Sequence, residues 1–504
     1  MFLKCASKRK FIESMVKYIC CFANIRPLEE FFMKVLFLNP QGNFDKNDSH
    51  LTEHPDFGGQ LIYVKEVSKE LANLNVSVDI VTRQINDPNW PEFSKKLDYF
   101  DTNKNPTIVR IPFGGDKFLN KEQLWPHLKE YVDNILSFYK DQKIDFITTH
   151  YADGGYSGVL LKSKLGLNFS FTGHSLGAQK MDKLNVSSEN FEDLDKEYHF
   201  SQRIMAERLS MQYASKIIVS TSMERYEQYS HPLYVDVSEV ENDSKYKVIP
   251  PGVNTDIFND DMTDLDQETV AQIEKKLNKQ QKPFIILSSR LDLKKNHISV
   301  VKAYANSIDL QDKANLGIFL RGIPDPFTDI HKLSEKEKSI LTPILEEIVK
   351  ANIKDKVYFF DLKSQLALAS AYKFFSKLKS VFVLPSFYEP FGLAPIEAGA
   401  CGLAVVATKN GGPSEIFSDG SGVLIDPEDI QDIVEGLIKG LNNYDYFSKK
   451  VKKRVLENYT WKSTSRGYLE VIEEGIKLPK KTIEKVPSLD AKEIILDYLK
   501  NKKI

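Results

Sequence analysis

Short apolar runs separated by stretches with helical spacing recur along this chain, and they come in two sets. KVLFLNP (34–40), VSVDIVTR (76–83), IVRIPF (108–113), DFITTHY (145–151), FSFTGHS (169–175) and KIIVSTS (216–222) read as strands. Amphipathic stretches such as LIYVKEVSKELANL (61–74) lie between them. Strands that are apolar almost throughout need cover on both faces, so this alternation predicts a parallel sheet between two layers of helices. After a Pro/Gly break, KVIPPGVNTDIF (247–258), the pattern restarts with FIILSSR (284–290), ANLGIFLRG (314–322), VYFFDL (357–362), VFVLPS (381–386), AVVAT (404–408) and GVLID (422–426). The expected fold is α/β, with two Rossmann-like domains facing across a cleft, residues 33–252 and 253–459. A 1–32 extension precedes them, and a Lys-rich tail, 478–504, either frays or packs as one last helix.

The bulk chemistry narrows the function classes. A formal net charge of -2 over 504 residues gives no overall field toward nucleic acid or a membrane surface, so an anionic ligand must be captured locally. The four cysteines, Cys5, Cys20, Cys21 and Cys401, lack zinc or disulfide spacing and fit a reducing, cytoplasmic setting. No apolar run approaches the ~18 residues that span a bilayer. The basic head carries charges through its apolar residues and makes a poor signal peptide.

Open α/β sheets bind ligands beyond the carboxyl ends of their strands, and four polar constellations fall there. The first is FYEPFGLAPIEAGACG (387–402), where Glu389 and Glu397 stand eight residues apart around a strand-to-helix corner. The free amides of the helix start could hold a diphosphate, with a carboxylate for sugar hydroxyls on either side. The plain alternative is a helix N-terminus that favours acidic residues. The second is SSRLDLKKN (288–296), whose Arg290 and Lys295 could neutralise a diphosphate leaving group without a metal ion, or form only a solvated charge cluster. The third is HPDFGGQLIYVKEV (54–67), where Gly58 and Gly59 open a helix and allow close backbone approach to a ligand. It lacks a dinucleotide fingerprint and equally suits a plain loop. The fourth joins FTGHSLGAQK (171–180) to SQRIMAERL (201–209). His174 follows a strand directly, and Lys180, Arg203 and Lys117 could form an anion site for a phosphorylated acceptor. A structural histidine and surface lysines are the alternative.

Taken together, E-x7-E, Arg290/Lys295 and the Gly-Gly loop resemble the retaining GT-B glycosyltransferases. The longer strings FLNPQGNF, TEHPDFGGQLIYVKEVS, IPFGGDKF, FTGHSLGAQK and FYEPFGLAPIEA are similar to those of the sucrose-phosphate synthases, across roughly residues 33–477. That resemblance implies glucose transfer from UDP-glucose to fructose 6-phosphate with retention, giving sucrose 6-phosphate and UDP, with no cofactor and no active-site Mg²⁺. It implies donor contacts from Gly59, Arg290, Lys295, Glu389, Phe391, Gly392, Leu393, Ala394 and Glu397, and acceptor contacts from Gly58, Gln60, Lys117, Ser175, Lys180 and Arg203. His174, Arg290, Lys295 and Glu389 would surround the reacting centre. It also implies that a final helix, 460–477, returns to the first domain. A third αβ domain looks absent, so a separate sucrose-phosphate phosphatase would remove the phosphate. Sucrose synthase, which uses free fructose, mannosylfructose-phosphate synthase, which uses a GDP-mannose donor, and a non-catalytic sugar-nucleotide sensor are the rival readings.

Overall fold

The computed structural model describes residues 33–47, 49, 50, 54 and 56–502; the 1–32 extension lies outside the described residues. Its first sheet has eight strands: β1 (Met33–Leu38), β2 (Val76–Gln84), β3 (Leu97–Tyr99), β4 (Thr107–Pro112), β5 (Phe146–His150), β6 (Phe169–Thr172), β7 (Lys216–Val219) and β8 (Tyr246–Val248), in the order β3-β4-β2-β1-β5-β6-β7-β8. The second has six: β9 (Phe284–Ser288), β10 (Asn315–Leu320), β11 (Val357–Asp361), β12 (Val381–Leu384), β13 (Ala404–Thr408) and β14 (Val423–Ile425), in the order β11-β10-β9-β12-β13-β14. The β3–β4 pair is antiparallel, whereas the other pairs run parallel. Val35 to Leu38 and Phe284 to Leu287 are buried from end to end, because helices cover both faces of each sheet. The continuous apolar runs have this cause.

In each sheet the strand order reverses beside the first strand, between β1 and β5 and between β9 and β12. Crevices at such switch points are where open α/β sheets take ligands. All candidate constellations fall near them.

The chain crosses between the domains twice, side by side. Val253 donates to the Tyr459 carbonyl at 2.8 Å and bridges Thr460. A Cβ on Gly252 would stand 2.1 Å from the Trp461 nitrogen, so only glycine fits this crossing. The helix Trp461–Lys477 then lies on the first domain, where Tyr468 is fully buried and bonds Thr172 at 2.8 Å. The tail packs rather than frays: Lys492–Asn501 is helical, and Ala491, Ile495 and Leu499 join the first domain's core. Among the described residues no helix is long and apolar enough to cross a membrane.

Candidate active site

The second domain's part of the site is a corner. The loop after β12 carries Glu389, and Gly392 takes a left-handed φ of 109° to start the helix Leu393–Ala400. Opposite it, Gly411 bridges Glu389 in a parallel fashion, and the Gly412 amide donates to the Glu389 carbonyl at 2.8 Å. A Cβ on Gly411 would meet that carbonyl oxygen at 2.1 Å, and one on Gly412 would meet the Phe391 oxygen at 2.2 Å. The two glycines therefore let a second loop press against the first and fix it. Both were missed in the sequence, although NGGP directly follows the strand run AVVAT.

Lys295 ends a short turn and its Nζ lies 2.5 Å from Oε2 of Glu389. A diphosphate reaching Lys295 would thus meet a carboxylate already there. Arg290 is exposed and lines a cavity of about 770 Å³ beyond β9 and β10, with Ser288, Arg321, Glu337 and Gln365. That volume suits a nucleotide-sized ligand. Arg321 escaped the sequence reading as a candidate, although it lies in the run ANLGIFLRG and directly follows β10. Glu397 is half-buried, and no described residue bonds its carboxyl. Burial alone pushes it up to about 7. Phe391 and Gly392 are buried in the corner, whereas Leu393 is 42% exposed and Ala394 is half-buried.

The first domain faces this corner. Gly58 precedes and Gly59 begins the helix Gly59–Asn73, and a Cβ on either would meet nothing within 4 Å. Their backbone borders open space, as a ligand surface requires. The Gln60 amide bonds the Asn39 side chain at the end of β1. His174 has a left-handed φ of 54°, strain of the kind that gathers at functional sites. Its Nε2 lies 2.9 Å from Nδ1 of His150, which is buried and stacks on Phe37. Burial drives His174 down to about 3 and depresses His150 as well, so both rings are neutral and one donates to the other. His150, the last residue of β5, was also missed; a polar residue closing an apolar strand was the available signal.

Arg203 is held in place by two residues of its own domain. Its Nε donates to the fully buried Glu207 at 3.0 Å, and its Nη2 to the Ser175 carbonyl at 2.8 Å and hydroxyl at 3.2 Å. Glu207 in turn accepts the Gly177 amide at 2.9 Å. Lys180 sits 4.0 Å over the Tyr198 ring, and burial first, then neighbouring Arg203, lowers its pKa. Lys117 is exposed beside Asp87, with its carbonyl accepting from Arg83. Lys121 stands near enough to Lys180 to lower its pKa further, after Arg203. Lys121 is anchored by Asp56 at 2.7 Å. The first domain's Lys183 feels the charge of Lys294, so the two halves meet at this edge.

Comparison with known proteins agrees with this geometry. Residues 25–279 match the family model for the sucrose synthase first GT-B domain, and residues 269–457 that for glycosyl transferases group 1. A probable sucrose-phosphate synthase of Thermosipho melanesiensis is 48% identical over 451 residues, covering 89% of this chain and 98% of that protein. The sucrose-phosphate synthase of Spinacia oleracea is 30% identical over 504 residues, covering 87% of this chain and 47% of its own length, so the chain spans about half of that plant relative. Among solved structures, a sucrose-phosphate synthase from Thermosynechococcus elongatus superposes with a TM-score of 0.59 at 23% identity, covering 88% of this chain and 98% of that one. Two parallel-sheet domains, ligand-facing corners at both switch points and this degree of identity place the chain in the sucrose-phosphate synthase family.

Proposed function

We propose that this hexosyltransferase moves glucose from UDP-glucose to fructose 6-phosphate with retention, giving sucrose 6-phosphate and UDP. The observation that carries the acceptor choice is the cluster of Lys121, Lys180 and Arg203, with Glu207 and Asp56 holding two of the three in place. Fructose 6-phosphate brings the anion that a cluster of cations favours, and neutral fructose does not. Across the cleft, Glu397 and Glu389 offer carboxylates to ribose and glucose hydroxyls. Lys295 and Arg290 take up the charge that grows on the diphosphate as the C1–O bond breaks. The acceptor oxygen bonds C1 on the face UDP leaves, and its proton passes to a phosphate oxygen of the departing UDP. The neutral His174, oriented by His150, is suited to a hydrogen bond with the donor sugar rather than to holding charge.

Two cations beside the diphosphate make a metal unnecessary in this reading, and a cytoplasmic enzyme acting with a separate phosphatase is the matching setting. The test is UDP release from UDP-glucose in EDTA with fructose 6-phosphate, fructose or no acceptor. Release with fructose 6-phosphate alone is expected. Release with fructose, or activity that returns only with added Mg²⁺, would overturn the acceptor or the metal-free part respectively.

A further inference from the structure

Both flanks of the Glu389 loop touch one helix of the opposite domain. That helix, Ser222–Gln228, follows β7 in the first domain. At its start, the Ser222 and Met223 amides donate to Oε2 of Glu415 at 2.9 and 3.4 Å, and the Ser222 hydroxyl donates to Oε1 at 3.3 Å. Thr221 caps the Glu224 amide from within its own domain at 2.9 Å, which leaves the earlier amides for the incoming carboxylate. Near the helix end, the Tyr388 hydroxyl donates to Oε2 of Glu227 at 2.9 Å.

The positions of these residues in the second domain matter. Tyr388 is the chain neighbour of Glu389. Glu415 lies on the short helix Gly412–Ile416, whose start is pressed against the Glu389 loop. One rigid corner therefore carries the donor carboxylate and both contacts to the other domain. Behind the contacts, a cavity of about 330 Å³ lined by Thr221, Pro250, Phe391, Glu415 and Tyr459 separates them from the double crossing at Gly252. The interface is pinned at its two edges and hollow between, which suits a hinge at one edge and a catch at the other. Domains joined by so little packing move relative to each other by default.

We infer that Tyr388 and Glu415 are interdomain positioning residues. They seat the Glu389 corner against the helix Ser222–Gln228, so that donor and acceptor stay in register and water stays out while UDP leaves. Their role in transfer rests on the reaction proposed above.

The Tyr388→Phe/Glu415→Gln double variant tests this. Each part-exposed contact is expected to be worth about threefold, so transfer at saturating donor falls about tenfold. The fraction of UDP released without sugar transfer should rise, with an unchanged melting temperature. A proportional fall of transfer and hydrolysis, or no change in either, would overturn the inference. Tyr388→Phe combined with Glu227→Gln should lose no more than either single change; additive losses would break the direct pair. Small-angle scattering with UDP alone gives an arm that does not depend on the sugar transferred. The parent should hold the compact form in which these contacts are made and the double variant should be more extended, and equal dimensions would refute the catch. A parent that releases no UDP with any acceptor would sink the proposed reaction and leave this scattering arm to decide the inference.

Discussion

Glu397 is a carboxyl whose surroundings disfavour its charge and offer it no partner, which makes it responsive to whatever binds. Burial alone raises it to about 7. In the proposed complex sugar hydroxyls donate to this carboxylate, so a bound donor should pull that value back down. Binding of UDP-glucose near pH 7 is then expected to release a fraction of a proton, visible in calorimetry as an enthalpy that depends on the buffer. Glu397→Gln should abolish the release and weaken donor binding about tenfold, the scale of a hydrogen bond to a charged group. The unliganded protein carries the opposite mark. A carboxyl raised from 4.5 to about 7 contributes stability that is present below 4.5 and lost as pH climbs through 7. The histidine pair works on the acid side. With His174 depressed from 6.5 to about 3, its contribution is present above 6.5 and fades as pH falls toward 3. Urea unfolding at pH 7.5 and pH 5 should show His174→Asn losing less stability on acidification than the parent. Candidate residues were legible as candidates where they stood just beyond a strand, as Arg290, Glu389 and His174 do. Lys121 was not, because its contact with Asp56, far upstream in the chain, is not encoded by local spacing.

At the scale of elements, the corner depends on loops touching backbone to backbone. Gly411→Ala would put a methyl 2.1 Å from the Glu389 oxygen at a φ of 97°, combining steric and conformational strain. A loss of about 1–3 kcal/mol in stability is expected. Transfer activity should fall further than stability alone explains, because Glu389 and its Lys295 contact move with the loop; thermal melting and steady-state rates measured together check this. The strand runs were legible because buried parallel strands need unbroken apolar sequence. Their ends were less so: FSFTGHS and FIILSSR overran, since the chain leaves the ladder at Thr172 and Ser288, and His174 turns to a left-handed φ of 54°. The edge strands β3 and β8 went unread for the same physical reason in reverse. Each has one neighbour, is only three residues long and needs little apolar sequence.

Across the whole molecule, the tail lies mechanically close to Arg203 and Lys180, the proposed acceptor cations. The Ala491 amide bonds the Ser201 carbonyl at 3.0 Å, two positions from Arg203, and Lys502 pairs with Asp182 at 2.6 Å, two positions from Lys180. Ile495→Ala should destabilise the first domain by about 2–4 kcal/mol, the usual cost of a core truncation. It should also raise the KM for fructose 6-phosphate while leaving UDP affinity unchanged, as titration and initial rates can separate. The domain plan and the returning helix were readable from pattern and resemblance, whereas the docking site of the tail was not, because an amphipathic helix does not name the surface it will cover.

The returning helix and tail have a consequence for synthesis. A chain emerging from the ribosome makes β1 to β8 first, yet the covers for part of that sheet, Tyr468 and Ile472, and the core residues Ile495 and Leu499 arrive only after the entire second domain. The second domain can close its own core while the earlier one still shows Phe37 and Phe146 to solvent or to a chaperone. The domain begun first is finished last.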